Sequence, residues 1–330
     1  MGNHAAGIAG IPLDQYCQSG ELMARAQIKA WDEYGQDVVI AQSDNYYIAE
    51  GFGITVEHHD NGLPTLKEPA VQSLGQVSRL RVPDPQTDGR MPVYLDAIRR
   101  LKVRFGDQVA IRSPGTGPFS LASHLMGTER LLLELADADQ EPGGAAEQAL
   151  LELLGLTTAA LTRFAKACLE AGADMVVAGD SLASIDVISP AMYQKWAWPF
   201  ERKFFDEIDP VARQCGATTL LHICGNTTPV LDLMSQTGAR ILELDSKVDL
   251  KVAKQKIGKR VCLLGNLSPV EVLLQGTPAS TERAAREAIA AAGGGGGFIL
   301  GSGCEVPVNA SRENIRVIVG VARSTGRKTH

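Results

Sequence analysis

Short apolar runs alternate with longer amphipathic segments along most of this chain, and the alternation predicts the fold. Seven runs are rich in Val, Ile and Leu with little polar alternation, which is typical of parallel strands buried on both faces. These predicted strands are residues 37–44, 108–114, 174–180, 218–224, 240–245, 260–266 and 297–303. We expect an eighth strand in residues 48–56 or in residues 74–82.

Helical periodicity occupies the segments between these strands. One example places Leu95, Ile98 and Leu101 along one broad apolar face, and another carries Pro190 in its first turn, where a missing N–H costs nothing. The predicted helices are residues 91–105, 148–171, 190–215, 229–237, 250–257, 280–292 and 311–324.

The strict alternation of strand and helix predicts an α/β fold with a parallel sheet and right-handed crossovers. Seven or eight such units over about 250 residues fit a closed (β/α)8 barrel of the TIM type. We expect one barrel domain over residues 1–330, with an N-terminal helical extension over residues 1–35. A doubly wound open sheet is the alternative, but Ser43-Asp44-Asn45-Tyr46 after the first strand is not a glycine-rich phosphate loop.

Composition places the chain among ordinary globular proteins. Hydrophobic residues make up 45% and charged residues 21%, and the net charge of -6 argues against a nucleic-acid or anionic-membrane surface. No run approaches the roughly 20 apolar residues of a membrane span. The six cysteines are scattered, which suits reduced thiols better than a disulfide framework. We therefore expect a cytoplasmic protein with no nucleic-acid and no membrane partner.

Polar groups end nearly every predicted strand, where a structural end would more often stop in Gly, Ala or Pro. In a barrel these C-terminal strand ends and the loops after them build the active site. In chain order, the groups are Asp44, Arg112, Ser113, Asp180, His222, Cys224, Glu243, Asp245, Asn266 and Cys304. The predicted mouth of the barrel is therefore the place to look for chemistry.

A three-ligand metal site is the main chemical hypothesis at this mouth. His222 and Cys224 stand two apart on an extended segment, so their side chains point to the same face, and Cys304 ends another strand. Imidazole and thiolate are zinc ligands, and catalytic zinc sites keep an open position. The alternative is a hydrogen-bonded core histidine beside two buried cysteines. His58, His59 and His124 lie away from strand ends, so we expect no metal role for them.

Other polar and aromatic residues near the strand ends are candidates for catalysis or substrate binding. Asp180 and Asp44 could act as general acid or base, although Asp also caps helices and turns routinely. The two asparagines could hydrogen-bond a substrate or only loop backbone, and the two aromatic side chains could wall a pocket or simply pack. These candidate substrate-binding residues are Asn226, Asn266, Tyr46 and Phe119.

Several strings of the sequence resemble the uroporphyrinogen decarboxylase superfamily, and the resemblance runs from about Met23 to the C-terminus. It implies a distorted (β/α)8 barrel with its active site at the C-terminal ends of the strands. The strings are Gly117-Pro118-Phe119-Ser120-Leu121-Ala122, Gly179-Asp180-Ser181 followed by Ile188-Ser189-Pro190, and Gly265-Asn266-Leu267-Ser268-Pro269.

Within that superfamily the chain is more similar to the zinc-dependent corrinoid methyltransferases, of the methylcobamide:coenzyme M and demethylating types. The matching strings are His222-Ile223-Cys224-Gly225 and Gly303-Cys304-Glu305-Val306-Pro307. The resemblance implies that His222, Cys224 and Cys304 bind zinc. It also implies methyl transfer between a small methylated substrate or thiol and the cobalt of a corrinoid carried by a partner protein.

Two other functions remain open from the sequence. The first is tetrapyrrole decarboxylation without a cofactor, in which Asp44 or Asp180 would contact pyrrole nitrogens. The decarboxylases carry an N-terminal Arg-Gln-Ala-Gly-Arg segment that grips substrate carboxylates, and this chain lacks it, which weighs against that activity. The second is a barrel that keeps the fold and only binds a ligand, because fold alone does not fix function.

Overall fold

A single curved sheet of seven parallel strands forms the centre of the molecule. The computed structural model describes residues 1–326. The order of strands in the sheet is β1-β4-β5-β6-β7-β8-β9, and β2 pairs with β3 in a separate antiparallel hairpin. The strands are β1 Val38–Ile40, β2 Thr55–Glu57, β3 Thr65–Glu68, β4 Ala110–Arg112, β5 Met175–Gly179, β6 Thr218–Ile223, β7 Ile241–Leu244, β8 Cys262–Leu267 and β9 Phe298–Ser302.

Helices connect consecutive strands of this sheet, so the architecture is a TIM-type α/β barrel, as the sequence predicts. The α-helices are α1 Gly2–Ala9, α2 Leu13–Tyr16, α3 Gly20–Tyr34, α4 Met91–Phe105, α5 Pro118–Met126, α6 Thr128–Ala138, α7 Ala145–Glu170, α8 Pro190–Met192, α9 Trp198–Gln214, α10 Leu231–Met234, α11 Leu250–Ile257, α12 Pro278–Ala292 and α13 Arg312–Gly326. Short π-helical segments, Tyr193–Ala197 and Pro269–Leu274, lie before α9 and α12.

The seven predicted strands are all present, each between one and five residues shorter than the apolar run that predicts it. The expected eighth strand is wrong at both places. Residues 48–56 turn through a 3-10 helix at Ala49–Phe52 and then enter β2, because Gly53 adopts a φ of 98° that breaks an extended run. Residues 74–82 begin with a 3-10 helix, Leu74–Arg79, which a capping box between Ser73 and Gln76 starts.

The first and last strands of the sheet, β1 and β9, are its two edges. Helices α1 to α3 confirm the predicted N-terminal helical extension, and α3 begins at a Ser19 cap whose hydroxyl accepts the Leu22 N–H. Side chains of β1, β9, α3 and α13 surround a cavity of about 200 Å³ between the two edges. Helical side chains thus cover the seam where a further strand would close the barrel.

Two hydrophobic cores stabilise this arrangement. A large one lies between the sheet and its surrounding helices. A small one fills the barrel interior and is built from inward-pointing strand residues, namely Met175, Val177, Leu220, Ile241 and Leu264. Within residues 1–326, the structure contains no helix with the length and apolarity that a membrane crossing requires.

Candidate metal centre

Three metal-binding side chains converge at the C-terminal mouth of the barrel. His222 lies on β6, Cys224 follows the end of that strand, and Cys304 follows β9. His222 Nε2 is 3.2 Å from Cys224 Sγ, and Cys224 Sγ is 3.6 Å from Cys304 Sγ. One ligand atom from each residue lies within 4.8 Å of the other two. The structure therefore brings together the residues that the sequence hypothesis names.

These spacings fit a tetrahedral zinc ion. Two thiolates at about 2.3 Å from the metal lie about 3.8 Å apart in tetrahedral geometry, and a thiolate and an imidazole lie about 3.6 Å apart. The observed separations of 3.6 and 3.2 Å are close to these values. All six cysteines of the chain are free thiols, so neither sulfur is used in a disulfide. The donor set fits zinc with one coordination position left for substrate.

Glycine lets the segment that carries Cys304 reach the centre. A Cβ atom added to Gly303 would lie 2.5 Å from the backbone nitrogen of Ser246, which is a severe overlap. The Gly303 N–H donates to the carbonyl of Leu267, which ties the end of β9 to β8. Any larger residue at position 303 would move Cys304 away from the other two ligands.

Glu243 fixes the orientation of the His222 ring, by a hydrogen bond to its main-chain oxygen and by the charge of its buried carboxylate. Nδ1 of His222 lies 3.1 Å from the main-chain oxygen of Glu243 and 3.5 Å from its carboxylate, so Nδ1 carries the proton and Nε2 faces the cysteines. Burial alone would lower the pKa of His222, but the charge of Glu243 and the hydrogen bond and charge of Cys304 together raise it. This is the arrangement that holds a metal-binding imidazole in one tautomer.

Arg112 compensates the charge of Glu243 inside the barrel. Its two terminal nitrogens donate to the two carboxylate oxygens at 2.8 and 2.7 Å, and both side chains are largely buried. Burial would raise the pKa of Glu243, but Arg112, followed by His222, lowers it to about 2. Glu243 is thus ionised, paired, and available to orient the histidine.

We expect Glu243→Gln to weaken zinc binding by about 10–100-fold, the usual cost of removing a partner that orients a metal ligand. The amide keeps the side-chain shape but removes the negative charge near His222 Nδ1. Competition with a chelator of known zinc affinity measures the effect, and circular dichroism checks that the variant is folded. Unchanged zinc affinity in a folded variant would show that Glu243 does not support the centre.

Cys224 receives a second contact from the loop after β5. The Ser181 hydroxyl lies 3.2 Å from Cys224 Sγ. Hydrogen bonding to Cys304 and then to Ser181 lowers the pKa of Cys224 to about 7, against the raising effect of burial. The thiol of Cys304 is correspondingly harder to ionise, because the pair shares one proton. The Gly225 N–H donates to Asp245 and fixes the turn that follows.

Asp180 is fully buried at the N-terminus of α5. Its carboxylate accepts from the backbone N–H groups of Phe119 at 3.1 Å and Ser120 at 2.6 Å. Burial raises its pKa to about 6. Glu201, also fully buried, accepts from the Tyr193 hydroxyl at 2.6 Å, and burial followed by the charge of Asp180 raises the pKa of Glu201. A catalytic role for Asp180 stays a prediction.

Asp44 follows β1 and forms an ion pair. Both oxygens accept from Arg90, at 2.6 and 2.8 Å, and Ser43 and Tyr94 also contact the carboxylate. Burial would raise the pKa of Asp44, but the hydrogen bond and charge of Arg90 hold it below its usual value. Its catalytic role also stays a prediction.

The four predicted substrate-binding residues occupy different environments. Tyr46 is half-buried, its ring centroid 4.8 Å from that of His124, and it lines a cavity at the mouth. Phe119 is buried in the core with 1% exposure. Asn266 donates to the carbonyls of Asp245 and Val248, and exposed Asn226 accepts the Thr228 N–H in a local turn. Tyr46 therefore lines one cavity and Asn266 lines another, beside Ser246 and Lys247, and the substrate roles remain predictions.

Arg112, Glu243 and Ser181 received no role from the sequence. A signal for the first two existed, because Ala110-Ile111-Arg112 and Ile241-Leu242-Glu243-Leu244 place opposite charges in strands that must be buried. A buried charge needs a partner, and each strand offers one. Ser181 carried no such signal, since its contact depends on how the loop after β5 folds.

Comparison with known proteins is consistent with this geometry. A family model described as uroporphyrinogen decarboxylase (URO-D) matches residues 1–325. A methylcobamide:CoM methyltransferase, MtbA, of Methanosarcina mazei is 30% identical over 305 residues, which cover 92% of this chain and 84% of that protein. A uroporphyrinogen decarboxylase of Carboxydothermus hydrogenoformans is 27% identical and is matched over 93% of this chain and 84% of that protein.

A solved structure, described as a methyltransferase from Methanosarcina mazei, is similar over almost the whole chain. It has a TM-score of 0.85 and 26% sequence identity, and the match covers 98% of this chain and 90% of that one. The sequence relatives thus include both methyltransferases and decarboxylases, and this similar solved structure is described as a methyltransferase.

Proposed function

We propose that this chain, which belongs to the uroporphyrinogen decarboxylase family, is a zinc-dependent methyltransferase. In this proposal it moves a methyl group between a small methylated substrate or a thiol and the cobalt of a corrinoid held by a partner protein. The observation that carries the proposal is the convergence of His222, Cys224 and Cys304 at the barrel mouth. The methyltransferases among its relatives support it.

The protein would hold zinc through one imidazole and two thiolates. Such an ion would deprotonate a bound thiol, or polarise the heteroatom that carries a methyl group. Its two thiolates cancel the metal charge, and Arg112 cancels Glu243 beside it. A nearly neutral centre favours soft ligands such as sulfur.

The remaining residues position the three ligands. Glu243 contacts Nδ1 of His222, the Ser181 hydroxyl contacts Cys224, and Gly303 allows the close backbone approach that Cys304 needs. The ligands lie at the strand ends, which is where a corrinoid-bearing partner could approach. We therefore place the docking surface of that partner over the barrel mouth.

We expect the zinc-loaded protein to transfer methyl groups between free methylcobalamin and a small thiol, with loss of the activity in His222→Ala. The variant removes one ligand and leaves Cys224 and Cys304 in place. The absorbance of methylcobalamin measures transfer to cysteamine, 2-mercaptoethanol or 2-mercaptoethanesulfonate. The reverse direction uses reduced cobalamin with methylated donors.

Uroporphyrinogen is the substrate that tests the competing function, tetrapyrrole decarboxylation. The two oxygens of Asp44 together accept five hydrogen bonds, so the carboxylate has no acceptor position left for pyrrole nitrogens in this conformation. The donors are Arg90, Ser43, Tyr94 and the N–H of Tyr46. We expect no coproporphyrinogen from the wild-type protein. Formation of coproporphyrinogen at the same rate in wild type and His222→Ala would overturn the proposal and support decarboxylation.

A further inference from the structure

A cavity of about 290 Å³ opens beside the residue that follows Cys304. Its walls come from α1, from the loop after β1, from α5 and from the segment after β9. Asn3, Asp44, Tyr46, His124 and Glu305 are among its lining residues. We call it the Glu305 cavity. Glu305 follows Cys304 directly and consecutive Cα atoms are about 3.8 Å apart, so this wall of the cavity lies beside the segment that carries Cys304.

Two side chains that line the Glu305 cavity have buried polar atoms without a hydrogen-bond partner. They are Oδ1 of Asn3, a residue with 8% exposure, and Nδ1 of His124. Burial lowers the pKa of His124 to about 4, so the ring is neutral near pH 7 and one of its nitrogens is an acceptor. Buried polar atoms are almost always paired in folded proteins, so these two indicate a ligand that donates hydrogen bonds.

The charges around the Glu305 cavity also favour a ligand that donates hydrogen bonds. Two carboxylates line it, and its lining residues within the described chain include no lysine or arginine. Asp44 is neutralised by Arg90. Glu305 accepts the Asn3 N–H at 3.0 Å, and the terminal amine of Met1 lies 4.0 Å from its other oxygen. The lining is therefore rich in acceptors and negative charge.

The cationic side chains closest to the metal centre are already paired. Arg112 gives its terminal nitrogens to Glu243, and Lys247 lies 2.6 Å from Asp186. An anionic substrate would have to break one of these pairs to find a cation. A positively charged substrate finds Glu305, whose nearest cation is the Met1 amine at 4.0 Å, and the two unpaired atoms of Asn3 and His124.

We propose that the Glu305 cavity binds the protonated amine of the substrate, so that this centre acts on an amine-bearing compound and not on an anionic thiol. The inference rests on the proposed function, because it assumes that the substrate contacts zinc. It narrows the substrate class: a short compound with a sulfur or other heteroatom at one end and an ammonium group at the other. Glu305 is then a specificity-determining residue.

Calorimetric titration of the zinc-loaded protein with two thiols of equal length tests this inference. Cysteamine carries an ammonium group two carbons from sulfur, and 2-mercaptoethanesulfonate carries a sulfonate at the same position. We expect cysteamine to bind at least about tenfold more tightly than 2-mercaptoethanesulfonate, which corresponds to about 1.4 kcal/mol of binding free energy. In Glu305→Gln we expect the preference for cysteamine to fall by about tenfold. Comparing this preference between the variant and the wild type cancels the difference in acidity between the two thiols.

Two control variants make the outcome decisive. Glu129→Gln removes an exposed carboxylate from α6, away from the cavity, and leaves the preference unchanged. A preference for the sulfonate, or a preference that changes in Lys247→Gln but not in Glu305→Gln, would overturn the inference. Failure of the proposed function would look different, because the purified protein would then neither contain zinc nor take it up before any thiol is added.

Discussion

Replacing Cys304 with alanine is expected to remove zinc and lower the rate of methyl transfer by more than about 100-fold. Loss of a partner that only orients a ligand costs about 10–100-fold in affinity or activity, and Cys304 supplies a ligand atom itself. Its Sγ is 3.6 Å from that of Cys224, and only one histidine and one cysteine of the centre remain without it. Elemental analysis of zinc per chain and the methylcobalamin assay measure the two effects.

Cys215→Ala is the matched control for this experiment. Cys215 is an exposed free thiol at the end of α9, and its removal should leave both zinc content and activity unchanged. Circular dichroism shows whether Cys304→Ala is folded. A folded Cys304→Ala variant that keeps one zinc per chain would contradict the assigned ligand set.

Replacing Arg90 with methionine is expected to lower the free energy of unfolding by about 3–5 kcal/mol, the usual cost of leaving a buried charge without its partner. Arg90 bonds both Asp44 and Glu50, and the three side chains are 3–15% exposed. Methionine keeps much of the apolar volume but leaves two carboxylates buried with no counter-charge. Urea unfolding of the wild type and the variant measures the difference.

The pH dependence of this loss follows from the direction of the Asp44 shift. The pKa of Asp44 is held below its usual value despite burial, because Arg90 donates to it. Ionised Asp44 therefore contributes its full stabilisation above its unfolded-state pKa of about 3.9. This contribution is lost as the pH falls through its folded-state pKa. The difference between wild type and Arg90→Met should be largest near pH 7 and narrow as the pH falls, because carboxylates buried without Arg90 become protonated first in the variant.

Arg100→Met provides the comparison for an exposed pair. Arg100 contacts Asp96 one helical turn away, and both side chains are more than 40% exposed. Such pairs contribute about 0–1 kcal/mol. A similar small effect for Arg90→Met, or one that does not depend on pH, would show that the Arg90–Asp44 pair contributes little to stability.

The sequence predicts the barrel because its strands are buried on both faces. An apolar run such as Met175-Val176-Val177-Ala178 has few alternatives to a central parallel strand, and all seven runs of this kind are strands of the sheet. The metal ligands follow from the same regularity. Parallel strands end at one edge, so His222, Cys224 and Cys304 meet there although 80 residues separate the two cysteines.

What the sequence does not predict depends on packing between distant segments. Helices α5 and α6 have no place among the predicted helices, and α5 begins where the carboxylate of Asp180, 60 residues away in sequence, accepts its first N–H groups. The hairpin of β2 and β3 is separate from the seven-stranded sheet, and Gly53 interrupts the run of residues 48–56 just before β2. Arg112 pairs with Glu243 between β4 and β7, which are not neighbours in the sheet, so the sequence shows that each buried charge needs a partner but not how the two side chains meet.

X-ray absorption at the zinc edge of the purified wild-type protein tests the central claim most directly, because it reports the atoms bound to the metal. We expect two sulfur atoms at about 2.3 Å and nitrogen or oxygen atoms at about 2.0–2.1 Å, in agreement with one histidine, two cysteines and an open position. The same spectrum is expected from Cys215→Ala. A zinc environment without sulfur, or a protein that holds no zinc, would contradict the account.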